Sequence, residues 1–393
     1  MDWMLLVAAV VLTIGNAELL ITLINRIHSR PIPEHYLRQI RHLHDLLIPL
    51  FPVWLVVGVW LPAWKLAIEP LTVPSLWSVL PLFVQCYFGL CVAGCLGFVW
   101  SVLRYQTYRS PRQQTRYESR VVDIAAELGA PPIGPGPFQS LVRLPFNECF
   151  QVELVQRTLV LPRLPQTLDG LRILHLTDLH FIGTLDRPFF ERLFEHVRGL
   201  RFDMAVLTGD LIDDMQLTPW IATTLGTIEA PLGKFSILGN HDWNQEPTPI
   251  RADLRAAGWI DVASRCEVVR HQGAELAIVG NELPWMGTAP SLENAPSGAL
   301  RIALSHSPDN LKWARRQRVD LMLSGHNHGG QVVLPIIGPV FAPSLYGVAY
   351  AAGLFWRSPT LLCVGRGVSG RHPLRVRCRP EVAVLELRCE ATK

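Results

Sequence analysis

Three long apolar runs near the start of this 393-residue chain constrain its fold more than any other feature. They cover about residues 4–24, residues 46–64 and a stretch within residues 71–103, and the second and third contain no charged residue. About 20 apolar residues are enough to cross the hydrocarbon core of a bilayer. A helical hairpin buried in a soluble protein is the alternative. Three such runs in one hundred residues instead favour a transmembrane anchor of about three helices over residues 1–105.

The distribution of arginine predicts how this anchor is oriented. Four arginines lie between positions 26 and 41, in the connection between the first two runs, and five lie between positions 104 and 120, after the third run. The connection between the second and third runs contains only Lys65, beside Glu69. Because positively charged loops stay on the cytoplasmic side, we expect a multi-pass membrane protein whose N-terminus is outside and whose chain after Arg104 is cytoplasmic.

The remainder of the chain has the composition of an ordinary globular domain. The formal net charge of +3 is too small to indicate nucleic-acid binding, so none is expected. The 8 cysteines show neither a CxxC pair nor a disulfide-like spacing, which predicts free thiols in a reducing compartment. A stretch rich in proline and glycine at residues 130–137 marks residues 106–150 as a linker leading into a domain over residues 151–393.

From residue 171 onward, short apolar runs that look like strands end abruptly in glycine and polar residues. Helical stretches such as residues 187–200 lie between them, which predicts an α/β fold. In such sheets ligands bind beyond the carboxyl ends of the strands, so side chains far apart in sequence can meet in one site. The five polar ends are Asp178-Leu179-His180, Gly209-Asp210, Gly239-Asn240-His241-Asp242, His306 and the segment GHNHGGQ over residues 325–331.

The residue types at these ends predict a metal centre. They supply carboxylate, amide and imidazole groups but no thiolate. Such ligands suit divalent ions such as Mn, Fe or Zn, and the residues leave the choice among the three open. They are too many for a single tetrahedral zinc and suit two ions bridged by a carboxylate, an arrangement that hydrolases of phosphate esters use.

The motifs D-x-H, G-D, G-N-H-D, H and G-H-x-H, in this order over about residues 171–387, resemble those of the calcineurin-like metallophosphoesterases. The G-H-N-H-G-G-Q form, with Tyr346 and Tyr350 after it, is similar to the membrane-associated bacterial branch of YkuE type. The resemblance implies an α+β sandwich of four layers, with two sheets between outer helices. It also implies two bound divalent metal ions and hydrolysis of phosphate esters or anhydrides.

The resemblance further implies roles for individual residues. His241 would be the catalytic histidine and Asp242 would orient its imidazole. The seven implied metal ligands divide between two ions: Asp178, His180 and His328 for the first, Asn240, His306 and His326 for the second, and Asp210 as the bridge.

Other residues near these motifs have weaker assignments. His175, inside the first strand, is expected to be a satisfied core or second-layer histidine. Asp213 and Asp214, which follow the G-D motif, are expected in a solvated loop, with contact to the site through waters as the alternative. The apolar loop over residues 333–345 either meets an acyl chain or the bilayer, or packs on the domain. Three residues after another strand-like run either line the substrate cleft or have structural roles: Asn281, Glu282 and Trp285.

These features together predict a membrane-bound phosphohydrolase that cleaves phosphoester or pyrophosphate bonds with a water activated by two metals. A membrane tether favours a phosphorylated small-molecule or lipid substrate, with a lipid or nucleotide attached to the phosphate. A non-catalytic membrane receptor or scaffold on the same fold is disfavoured because every expected ligand is present. A protein phosphatase is disfavoured because the sequence contains no evident docking tail.

Overall fold

The structure is a computed structural model that describes residues 3–66 and 72–390, with residues 64–66 described by their backbone alone. The Lys65 side chain, Glu69 and the start of the third apolar run at Leu71 lie outside the described residues. The chain divides into two compact units. The first comprises Met1–Tyr108 with Pro335–Gly338, and the second comprises Arg109–Leu334 with Pro339–Lys393.

The first unit is helical. Three of its helical stretches are long and apolar enough to cross a membrane, namely Trp3–His28, Glu34–Ala63 and Leu82–Thr107, in agreement with the three predicted runs. A π-helical segment, Leu55–Trp60, follows Pro49 and Pro52, which cannot donate helical hydrogen bonds. The α-helices of this unit are α1 (Trp3–His28), α2 (Glu34–Trp54), α3 (Leu61–Leu66), α4 (Val73–Val79) and α5 (Leu82–Thr107).

Glycine allows α1 and α5 to pack closely. A Cβ atom added to Gly15 would overlap the carbonyl oxygen of Cys91, and one added to Gly94 would lie 2.6 Å from the carbonyl oxygen of Gly15. Small residues bring helices together in this way inside a membrane, where burying apolar surface gives no driving force. Beside this contact the Tyr87 hydroxyl donates a hydrogen bond to Asn16 Oδ1 at 2.6 Å, so the two helices also share a polar contact.

The second unit contains two large β-sheets. The first has the strand order β1-β2-β15-β3-β4-β5-β6 and the second has the order β13-β14-β10-β9-β8-β7. In chain order the strands are β1 (Gln114–Asp123), β2 (Gln151–Leu161), β3 (Arg172–Leu176), β4 (Met204–Thr208), β5 (Lys234–Ile237), β6 (Trp259–Asp261), β7 (Cys266–His271), β8 (Ala274–Asn281), β9 (Leu300–Ser305), β10 (Leu321–Ser324), β11 (Val333–Leu334), β12 (Gly338–Pro339), β13 (Gly353–Arg357), β14 (Thr360–Val364) and β15 (Glu381–Cys389).

Helices cover the outer faces of both sheets. The α-helices of this unit are α6 (Ile124–Leu128), α7 (Gln139–Val142), α8 (Arg187–Arg198), α9 (Trp220–Thr223), α10 (Asn240–Asn244), α11 (Pro247–Ala256) and α12 (Leu311–Arg316). One apolar core joins the facing sides of the sheets, with Ile173 of β3 and Ile302 of β9 among its members. Two further cores lie under α8 and α12. The α/β prediction is confirmed, and the layers run helix, sheet, sheet, helix.

Residues 106–150, expected to be a linker, contribute structure to the second unit. They contain β1, α6 and α7, and β1 pairs antiparallel with β2 along its whole length. Most side chains of β1 are exposed and many are charged, as is usual for the outermost strand of a sheet. This strand lacks the alternation of apolar residues on which a sequence-based prediction depends, which is why the domain begins earlier than expected.

Candidate metal centre

The carboxyl ends of five strands carry the predicted site residues. Strands β3, β4 and β5 run parallel, and β9 and β10 run parallel in the second sheet. Asp178 and His180 follow β3, and Asp210 follows β4. The remaining predicted residues follow the other three strands: Asn240, His241 and Asp242 after β5, His306 after β9, and His326 and His328 after β10.

The structure brings all seven predicted ligands together in two overlapping clusters. In each cluster one potential ligand atom from every member lies within 4.8 Å of the others, and Asp210 belongs to both. Asn240 joins the second cluster because its Oδ1 lies 3.0 Å from His306 Nε2. The first cluster contains Asp178, His180, Asp210 and His328, and the second contains Asp210, His306 and His326.

Hydrogen bonds on the side of each imidazole that faces away from the centre determine which ring nitrogen faces the centre. His306 Nδ1 lies 2.7 Å from the carbonyl oxygen of Thr208, and His326 Nε2 lies 2.7 Å from that of Pro343. A carbonyl oxygen only accepts, so these two nitrogens carry the hydrogens. The neutral rings then present lone pairs at His306 Nε2 and His326 Nδ1, which are 3.1 Å apart. Two lone pairs this close repel each other unless a proton or a cation lies beside them.

A similar contact orients His180 in the first cluster. Its Nδ1 lies 2.7 Å from Asp213 Oδ2, which leaves Nε2 to face the carboxylates of Asp178 and Asp210. Among the described residues this buried Nε2 has no hydrogen-bond partner. An imidazole nitrogen held in this way beside two carboxylates fits the coordination of a divalent cation, with the outer hydrogen bond setting the tautomer.

The charges of the centre favour bound cations. Burial lowers the pKa of His306, but the negative charge of Asp210 outweighs burial and raises that pKa to about 9. Burial and the nearby His306 hold the pKa of His326 well below its usual range. The carboxylates therefore retain a positive charge on one ring, and a metal ion can replace the proton that carries it.

The backbone is strained where it presents the ligands. A residue other than glycine with φ near +50° costs about 1–3 kcal/mol, and such residues concentrate at functional sites. Glycine is also required at position 239, but for a steric reason: a Cβ atom there would overlap Asp210 Oδ1. Five of the predicted ligands adopt this left-handed conformation: Asp178 (φ 54°), His180 (φ 48°), Asp210 (φ 55°), His326 (φ 69°) and His328 (φ 49°).

His241 lies at the accessible side of the centre, with its side chain 20% exposed. Its Nδ1 is 2.6 Å from Asp213 Oδ1, and its ring is 4.7 Å from that of His180. Burial lowers the pKa of His241, but the charges of Asp213 and Asp210 outweigh this effect and raise that pKa to about 10. The ring is therefore protonated at neutral pH and can donate a proton.

Asp213, for which a solvated loop was the favoured expectation, lies within the site. Its carboxylate is only 2% exposed and contacts both His180 and His241, so it is not in a solvated loop. Burial raises the pKa of Asp213, but the neighbouring rings of His241 and His180 outweigh burial and hold that pKa far below its usual range. In the sequence, the feature that could have pointed to this role is the position of Asp213 three residues after Asp210. The distinction between a buried and a solvated side chain required the path of the loop.

The geometry also corrects the role expected for Asp242. Its Oδ1 accepts hydrogen bonds from the backbone N–H groups of Leu211 and Ile212, and its Oδ2 accepts one from Gly239. Asp242 therefore ties the loop after β4 to the first turn of α10. Consecutive residues of a helix do not face each other, so Asp242 cannot orient the ring of His241. Asp213 contacts that ring instead.

The remaining candidates separate into structural residues and one neighbour of the centre. His175 is buried, with Nε2 3.0 Å from Thr208 Oγ1, as expected for a satisfied core histidine. Glu282 accepts a hydrogen bond from Leu238 N at 2.6 Å and pairs with Arg251 at 2.6 Å, and Asn281 accepts one from Leu283 N at 3.0 Å. Trp285 alone borders the second cluster, with its ring 4.9 Å from that of His326.

Arg375 holds the loop that carries His328, a member of the first cluster. It is 1% exposed and donates hydrogen bonds to the carbonyl oxygens of His328 at 2.9 Å and Arg366 at 2.7 Å. It also donates to the carbonyl oxygen of Ser369. A buried guanidinium that satisfies three carbonyl groups fixes the loop that carries His328. No local pattern in the sequence distinguishes this arginine from those on the surface.

Comparisons with known proteins agree with this geometry. Residues 171–330 match the family described as Calcineurin-like phosphoesterase. The chain is 29% identical to the uncharacterized metallophosphoesterase YkuE of Bacillus subtilis (strain 168), covering 62% of this chain and 88% of that protein. It is 30% identical to the phosphodiesterase YaeI of Escherichia coli (strain K12), covering 55% and 82%. It is 27% identical to the UDP-2,3-diacylglucosamine pyrophosphatase LpxG of Chlamydia muridarum (strain MoPn / Nigg), covering 57% and 86%.

Proposed function

This chain belongs to the calcineurin-like phosphoesterase family and is therefore a phosphoester hydrolase, and we propose that it cleaves the phosphoester or pyrophosphate bond of a lipid-linked or nucleotide-linked substrate at a membrane. The observation that carries this proposal is the pair of clusters that share Asp210. Two groups of ligands joined by one carboxylate are what a binuclear phosphohydrolase requires.

We assign the metal ligands according to the two clusters. Two divalent cations, when bound, would lower the pKa of a water and neutralise charge on the phosphoryl oxygens. Mn, Fe and Zn all accept this set of ligands. One ion would be held by Asp178, His180, Asp210 and His328, and the other by Asp210, Asn240, His306 and His326.

His241 is proposed as the catalytic histidine. Asp213 accepts the Nδ1 hydrogen of His241 and keeps the ring charged, which leaves the opposite nitrogen as the proton donor. That proton would go to the oxygen of the leaving group as the P–O bond breaks. Because the ring is partly exposed, a substrate phosphate at the centre can reach it.

A location at the membrane is supported by the three apolar helices of the first unit. The relative LpxG is named for the hydrolysis of a nucleotide-linked acylated sugar, which is a substrate that combines a pyrophosphate with acyl chains. We propose a multi-pass anchor and, from the positions of the arginines, a cytoplasmic catalytic domain.

The test is hydrolysis by the purified full chain after reconstitution with Mn. The substrates are bis(p-nitrophenyl) phosphate, UDP-2,3-diacylglucosamine and a phosphopeptide. We expect turnover of one or both of the first two. Asp210→Asn should lose both activity and bound metal, whereas His241→Ala should lose activity and keep the metal. Asp214→Asn, a change at the neighbour of Asp213, serves as the control. A chain that binds Mn and hydrolyses none of these compounds would overturn the proposal, and hydrolysis of the phosphopeptide alone would indicate a protein phosphatase.

A further inference from the structure

Residues 138–146 of the second unit expose large apolar side chains to solvent. Phe146 is 86% exposed, the largest value among the exposed large apolar residues that the structure describes, and Leu144 and Phe138 are 45% and 37% exposed. Both phenylalanines have φ of 64°, a conformation unfavourable for any residue other than glycine. An aromatic ring held outward by a strained backbone is uncommon on a soluble surface and indicates a binding role.

This segment is firmly held, so its exposure does not reflect a loose loop. Successive turns are closed by hydrogen bonds from Leu141 N to the Phe138 carbonyl oxygen and from Leu144 N to that of Leu141, at 3.0 and 3.2 Å. The next residue, Asn147, donates from Nδ2 to the carbonyl oxygens of Leu141 and Pro373, both at 2.8 Å. A segment with these bonds presents its apolar side chains in a fixed arrangement.

The same bonds place the segment beside the metal centre. Asn147 Oδ1 accepts a hydrogen bond from the backbone N–H of Arg375 at 2.9 Å, and the Arg375 side chain donates to the carbonyl oxygen of His328. The ring of Phe138 lies 4.4 Å from that of His372. The exposed apolar segment therefore borders the loop that supports a ligand of the first cluster.

The charged residues near the segment indicate which kind of surface it binds. Arg143 lies within the segment and Arg377 lies two residues after Arg375, and both are exposed. Within residues 3–66 and 72–390 neither arginine forms an ion pair, and the acid nearest in sequence to Arg143, Glu148, pairs with Arg379 instead. Exposed aromatic and aliphatic side chains mixed with unpaired arginines are typical of surfaces that rest on anionic lipid, where apolar groups enter the acyl region and cations remain near the phosphates.

We propose that residues 138–146 dock onto the lipid–water interface of an anionic bilayer, with Phe146 and Leu144 among the acyl chains and Arg143 at the level of the phosphates. The three apolar helices of the same chain supply a reason for a membrane to be present. This inference deepens the proposed function and rests on it, since docking here would let the centre act on a phosphate whose acyl chains stay in the bilayer.

A photoreactive benzoylphenylalanine placed at position 146 of the full chain tests this directly. The protein is reconstituted into vesicles of phosphatidylcholine with phosphatidylglycerol and irradiated. The control carries the same group at position 268, where the native Val268 is 37% exposed on β7. We expect phospholipid adducts at position 146 in large excess over position 268, decreasing when phosphatidylglycerol is omitted. Equal labelling at the two positions, or crosslinks from position 146 to a second copy of the chain, would overturn the proposal.

A kinetic comparison gives an independent readout. Replacing Phe146 by Ser should lower the ratio of turnover of vesicle-borne UDP-2,3-diacylglucosamine to turnover of soluble bis(p-nitrophenyl) phosphate by about tenfold, as expected from the loss of one inserted aromatic side chain. An unchanged ratio would contradict docking by this segment. If the wild-type chain hydrolyses neither substrate, the proposed function is contradicted. The docking proposal can still be tested in that case, because formation of lipid adducts at position 146 does not require turnover.

Discussion

Replacement of Asp213 by Asn tests the proposed proton donor most directly. Asp213 lies 2.6 Å from His241 Nδ1 through one oxygen and 2.7 Å from His180 Nδ1 through the other. Asn has nearly the same size and shape, so the packing of this buried site is kept. The substitution removes one negative charge and one strong acceptor from between the two rings.

The size of the effect follows from the pKa of His241. That pKa is raised to about 10 because the charges of Asp213 and Asp210 outweigh burial. A raised pKa keeps the ring protonated through neutral pH and releases the proton only as pH rises through that value. Without Asp213 we expect the proton to leave nearer the ordinary value of about 6.5. With that pKa only about one ring in thirty is protonated at pH 8, so kcat/KM near pH 8 should fall by roughly thirtyfold, less than the loss of about 10²–10⁴-fold that complete removal of general acid catalysis would cause.

The assay is the dependence of kcat/KM on pH for the soluble diester, from about pH 6 to about pH 10, together with metal content. The descending alkaline limb of Asp213→Asn should begin at lower pH than in the wild type. Metal affinity should weaken by about 10–100-fold, because His180 loses the partner that fixes its tautomer. Asp214→Asn should behave as the wild type, since Asp214 caps a short turn through Gln216 N. Identical pH profiles for Asp213→Asn and the wild type would refute the reasoning.

Three further outcomes are expected. Gly15→Val should destabilise the packing of α1 and α5 by about 1–3 kcal/mol, measured by thermal unfolding in detergent. Gly97→Val should be neutral, because a Cβ atom added there has no described atom within 4 Å. Arg375→Met should lower both metal content and kcat by tenfold or more, because the carbonyl oxygen of His328 loses its buried donor, and Arg388→Met at an exposed ion pair should not. Chelation of metal should lower Tm by roughly 5–10 °C, and added Mn should restore it, because the ions bind only the folded chain; an unchanged Tm would argue against a native metal site.

The sequence by itself determined the division of the chain and the chemistry of the centre. Apolar length predicted three helices that can span a membrane, because the bilayer sets a local length requirement that neighbouring segments cannot alter. The ends of the strands were recognisable in the sequence because a buried strand must be apolar, whereas the residues that follow it can be polar. Residue types at the strand ends predicted a metal centre, the resemblance to the calcineurin-like metallophosphoesterases implied its seven ligands, and the fold brings those seven residues together in two clusters.

Only the tertiary structure decided which carboxylate contacts and orients the ring of His241. The resemblance implied Asp242 for this role, and Asp213 was expected in a solvated loop, but the outcome depends on the direction in which each side chain leaves its backbone. It likewise decided that β1 belongs to the first sheet, that Arg375 is buried, and that Phe146 is exposed. Hydrogen-bond partners and burial depend on atoms contributed by distant parts of the chain. Local periodicity and residue type therefore cannot specify them, whereas the packed fold does.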